Sequence, residues 1–174
     1  DVSLDPTASD TTPRGSSDGR MLDVVDPVIA TPLSSGGGFR CEEKEHLEPQ
    51  RAFVVKCQHE QEEMLLIAKL YSVAPEAVLP ARKLVDEIYP RNYKKMFATF
   101  QITSVQMETI GPYEAVHVHL EATGHHGPVR LHERVIAFGN SVYILTALGS
   151  PAAFTKFEEE RERWFAKTRF RDLR

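Results

Sequence analysis

The 174-residue chain is poor in cysteine, with two, and has a single tryptophan. No apolar run approaches the ~18 residues that a membrane-spanning helix needs. Two cysteines exclude a disulfide-dense mini-protein. No segment repeats, which excludes solenoids and propellers. Charge imbalance is small: 21 basic and 25 acidic residues leave a net -4. That excludes a histone-like polycation and argues against general nucleic-acid binding. With 41% apolar and 26% charged residues, the chain is neither collagenous nor wholly disordered. The length fits one domain with a tail.

What charge imbalance exists is local. Residues 1–38 hold six aspartates against two arginines, while the rest balances at 19 of each sign. No aromatic residue precedes Phe39. Such a segment cannot recover the entropy of ordering, so 1–38 is expected to be a flexible acidic tail and 39–174 the folded domain. Ser34-Ser35-Gly36-Gly37-Gly38 reads as a joint. Met21 to Ala30 is apolar enough to dock on its own domain or on another protein. The chain starts with Asp1 rather than Met. A Ser/Thr/Pro-rich leader is common just after an export signal or lipid-anchor site, so the expectation is an exported protein: periplasmic, lipoprotein-like or in an organelle lumen.

From Phe39 the pattern is strand-rich. Residues 39–46 and 51–59 flank Glu48-Pro49-Gln50 as a hairpin. Met64 to Val73 is almost wholly apolar, as in a central strand covered on both faces. The period then changes. Pro80 to Tyr89 sets Leu84, Val85, Ile88 and Tyr89 on one helical face, Pro90 is expected to stop that helix, and Asn92 to Phe97 to add a turn. Four strands follow: 99–110, whose apolar parity switches as a bulge would make it, 113–123, 129–138 and 142–148. Gly111-Pro112, Gly124 to Gly127 and Gly139-Asn140 separate them. Ser150 and Pro151 open a final helix as N-cap and first residue. Its stripe of Phe154, Phe157, Trp164 and Phe165, with the Arg161 stem between, should lock onto the sheet. The order β-β-β-α-β-β-β-β-α with short turns predicts an α+β fold, an antiparallel sheet flanked by helices.

The element order, and above all ERVIAFGNSVYILTALGSPAAFTKFEEERERWFAKTRF at 133–170, resembles the PsbP-like superfamily. Its members include PsbP extrinsic photosystem subunits, Mog-type Ran-binding factors and DcrB-like bacterial proteins, among them effector chaperones. The resemblance covers 39–174. It implies a PsbP-like α/β/α sandwich and a binding or assembly role, and it carries over no catalytic residue.

Three constellations stand out. If 39–59 is a hairpin, Cys41 and Cys57 fall opposite one another, within reach of a disulfide; that would imply an oxidising compartment. His117 and His119 share a strand face. With Gly124 to Gly127 as the turn, His132 faces His119, a trio that could ligate zinc or copper through neutral imidazoles or form a pH-sensitive surface. Third, Arg161, Arg163, Lys167, Arg169, Arg171 and Arg174 outweigh Glu162 and Asp172 and could meet an acidic partner. No nucleophile elbow, phosphate loop or zinc-protease motif occurs, so no nucleophile or base is named and no cofactor is required. The function expected is a non-catalytic protein-binding or assembly subunit, attached to a larger complex through its tail and exposed faces. Peripheral membrane association is compatible with it. The alternatives are a metal-binding protein on the histidines and a cytosolic effector chaperone of the DcrB-like type, which requires reduced cysteines.

Overall fold

A computed structural model describes residues 38–46, 52–110, 113–139 and 141–167. Residues 1–37, 47–51, 111–112, 140 and 168–174, with the expected tail and Arg169, Arg171 and Arg174 among them, lie outside the described residues.

Seven strands form one antiparallel sheet: β1 Phe39–His46, β2 Ala52–His59, β3 Met64–Ser72, β4 Thr99–Ile110, β5 Tyr113–Gly124, β6 Gly127–Phe138 and β7 Ser141–Gly149. Their spatial order is β1-β2-β3-β7-β6-β5-β4. Two meanders thus meet where β3 pairs with β7, from Met64↔Gly149 to Ser72↔Ser141. That central contact is tight. A Cβ on Gly149 would lie 2.7 Å from the Glu63 carbonyl and 2.8 Å from Met64 Sδ, so only glycine fits. In β4 the register shifts between Ile102 and Ser104. This bulge accounts for the parity switch, because it returns Val105 to the face that holds Phe100 and Ile102.

Helices cover both faces. The first, α1, runs from Ala81–Lys83 through a π-helical Leu84–Ile88 into Tyr89–Met96. Pro90 does not stop it, contrary to the expectation from sequence. The Tyr89 N–H bonds the Leu84 carbonyl, five residues back, and this wider turn shifts the carbonyls with which the proline ring would otherwise clash. Ala81, Leu84, Val85, Tyr89, Tyr93 and Phe97 pack on Val116, Val118, Leu120, Leu131 and Val135.

On the opposite face lie α2, Pro151–Lys156, and α3, Glu158–Lys167. Ser150 Oγ caps α2 by accepting the Ala153 N–H at 3.2 Å. The single helix expected here breaks at Phe157 (φ -101°, ψ 32°). The break lets Phe157 turn to the β1–β2 end, where its ring meets those of Phe39 and His59 at 5.3 and 4.9 Å. Trp164 and Phe165 remain seated on the sheet with Phe154, and the Trp164 side chain has no exposed surface. The result is the antiparallel sheet flanked by helices that the element order predicted, in the α/β/α arrangement that the resemblance implied. Among the described residues no helix is long and apolar enough to cross a membrane.

Candidate functional site

Pleating puts Glu108 of β4, His117 and His119 of β5, and His132 and Arg134 of β6 on the face beneath α3. With Arg161, Glu162, Phe165 and Ala166 they line a pocket of about 390 Å³. A larger hollow of about 450 Å³, near Thr99, Thr123 and Pro151, holds no histidine or cysteine.

The register places His119 opposite His132, as the hairpin arithmetic required. His119 lies flat on His132 (centroids 4.0 Å apart, planes 20° off parallel), and His132 lies flat on Phe165 (4.0 Å, 24°). Beside this stack and tilted 37° from the His132 ring, His117 has its Nδ1 2.8 Å from His132 Nε2 and its Nε2 2.5 Å from Glu108 Oε2. A carboxylate only accepts. With both rings neutral, therefore, His117 donates from Nε2, receives the His132 Nε2–H at Nδ1, and leaves His132 Nδ1 as the bare nitrogen.

Burial holds the His132 ring far below its ordinary range, to about 2, with His119, His117, Arg161 and Arg134 adding to the effect. His119 is lowered too, first by burial and then by His117 and Arg161. The cluster ties β4 to β6 by hydrogen bonds through Glu108, His117 and His132. It is a poor tridentate cage. Ring lone pairs lie in the ring planes, and the near-parallel planes of His119 and His132 do not converge on one ion. Among the described residues no group of three or more His, Cys, Asp or Glu is set to hold a metal.

The basic residues expected to meet a partner divide. Arg161 is committed to its own domain: its Nε donates to the Phe154 carbonyl at 2.8 Å, and its guanidinium lies 3.7 Å from the Phe154 ring centre. Burial lowers its pKa. Arg163 is exposed. The Lys167 side chain, Arg169 and Arg171 lie outside the described residues. Cys41 and Cys57 are register partners at disulfide distance, with sulfurs 2.10 Å and Cα atoms 4.0 Å apart.

Two features escaped sequence reasoning. Arg134, in the core beneath α3, donates from Nη1 to the Phe165 carbonyl at 2.9 Å and so holds the end of that helix. Under α1, Glu133 accepts the Tyr93 hydroxyl at 2.6 Å and the Thr146 hydroxyl at 2.7 Å. The only signal of the second was a Glu at a position whose neighbours of the same parity, Leu131 and Val135, are core residues.

No family model matches the chain, and no curated protein sequence does. Solved structures do match. CyanoP, the cyanobacterial PsbP of Synechocystis, aligns over 76% of this chain and 82% of its own, with TM-score 0.57 and 6% identity. PA94 from Pseudomonas aeruginosa, a protein of unknown function, aligns over 72% and 94%, with TM-score 0.52 and 14% identity. LpqN, involved in cell envelope biogenesis of Mycobacterium tuberculosis, aligns over 78% and 93%, with TM-score 0.50 and 11% identity. At these identities the likeness is one of architecture, and by that measure the chain has a PsbP-like fold.

Proposed function

We propose that this protein is a non-catalytic binding or assembly subunit that works in an oxidising, exported compartment, with the acidic segment 1–38 as its tether to a larger complex. The observation that carries the reading is the Cys41–Cys57 pair at disulfide distance on an outer hairpin, a bond that persists in secreted and periplasmic settings. The fold supports it as well. Similar architectures occur in a cyanobacterial PsbP and in a protein involved in cell envelope biogenesis. The histidine face is spent on contacts that hold β4, β5, β6 and α3 together.

Affinity purification of the full chain and of residues 39–174 from the native source, followed by mass spectrometry, tests the proposal. A partner complex retained by the full chain and lost from 39–174 is expected. Equal recovery by both would remove the tether. Thiol titration of the freshly isolated protein tests the compartment: no free thiol is expected, and two would favour the cytosolic chaperone.

A further inference from the structure

The two edges of the sheet are built differently. β1 exposes Arg40 and Glu42 along its described side chains, charges of the kind with which proteins keep strangers off an open strand. β4 is the opposite edge, is 12 residues long, and has one charge, Glu108, with no lysine and no proline. Beyond its bulge at Ile102, Ser104–Ile110 are seven consecutive residues in register with β5, the longer of its two regular stretches. At the centre of that run is Met107, 46% exposed and one of three large apolar side chains left so open among the described residues.

We propose that β4 is a homodimer interface. Two copies pair Ser104–Ile110 antiparallel about a two-fold axis through Met107, which joins their sheets edge to edge. The sequence around the axis complements itself. Met107 meets Met107 of the second copy on the α1 side, and Val105 meets Thr109. On the histidine side Gln106 faces Glu108, an amide donor opposite an acceptor-only carboxylate. No like charges are opposed, and all seven residues find partners. Pairing of β4 on β1 of another copy would instead bring an edge with a single charge onto a more highly charged one, so the contact closes as a dimer and does not propagate.

Sedimentation of the full chain from about 1 to about 300 µM, the range of weak edge contacts, is the test. The wild type should pass from monomer to dimer. Met107→Lys places two ammonium groups across the axis and should weaken association about tenfold or more. Met107→Cys should give a disulfide-linked dimer on mild oxidation. Both changes are at an exposed position, and circular dichroism checks that the fold is kept. A wild type that stays monomeric, a dimer that Met107→Lys leaves unchanged, or a Met107→Cys protein that dimerises without cross-linking would each overturn the proposal. Pairing of the edge with a foreign strand only would appear as the first of these.

Discussion

The ring of His132 lies flat against that of Phe165, centroids 4.0 Å apart, and so couples a strand in the middle of the β4–β7 meander to the last helix. Phe165 also presents its carbonyl to Arg134. Truncation of its side chain removes the upper member of the stack and leaves a hole over His132. Phe165→Ala should cost about 3 kcal/mol in urea unfolding, whereas Arg163→Ala, exposed on the same helix, should stay within about 0.5 kcal/mol. Equal effects would show that the stack does not hold α3.

Stability should fall in mild acid because of His132. Its pKa is held down to about 2 in the folded state, against 6.5 ordinarily. The unfolded chain therefore takes up the proton first. The ring's contribution is whole above pH 6.5 and is lost as pH drops toward 2, by at most ~1.4 kcal/mol per pH unit. His119 works in the same direction. The groups that face His132 are His117 and His119 from β5, Arg134 from its own strand and Arg161 from α3. His132→Phe keeps the stack and removes the titration. Its urea midpoint should fall less between pH 7 and pH 4 than that of the wild type; parallel curves would refute the assignment.

Glu133 should act with the opposite sign. Burial raises its carboxyl above the usual 4.5, against the opposing hydrogen bonds from Tyr93 and Thr146 and the charge of Lys69. Its stabilising contribution is whole below pH 4.5 and is lost as pH rises through the raised folded value. Each unit of displacement corresponds to ~1.4 kcal/mol. Glu133→Gln stays neutral and can still accept a hydrogen bond, so its stability relative to wild type should rise between pH 4 and pH 8. A difference that does not change with pH would mean that Glu133 titrates as an ordinary carboxylate.

Reduction of the Cys41–Cys57 pair should lower stability by about 3 kcal/mol, the expected value for a closed loop of this length, since the cysteines are 16 residues apart. Chemical unfolding with and without reductant measures it. A Cys41→Ala/Cys57→Ala protein should match the reduced form and be indifferent to reductant. An unchanged midpoint for the wild type would show that the bond is absent in solution.

Much of the fold was legible because period and punctuation agree. Alternation marked β5 through Val116, Val118 and Leu120, and the Gly124–Gly127 turn alone fixed His119 against His132. Pro49 placed Cys41 against Cys57. The helix ends were less legible. Pro90 reads as a stop by every local rule, and only packing of Tyr89 and Tyr93 onto the sheet makes the wider turn worth forming. Phe157 reads as one more residue of an aromatic stripe, until the position of Phe39 and His59 draws it out of the helix.

Local sequence by itself determined the strands, their hairpin registers, the capped final helix and the gathering of three histidines on one face, because these depend on neighbours a few residues away. Tertiary structure decided what the histidines do. Whether imidazoles converge on an ion or stack flat depends on ring orientation, and that is set by Phe165, 33 positions beyond His132, and by Glu108 on another strand. It also decided that β3 joins β7, and so which strands became the edges. That pairing spans about half the chain, a contact that no local pattern encodes.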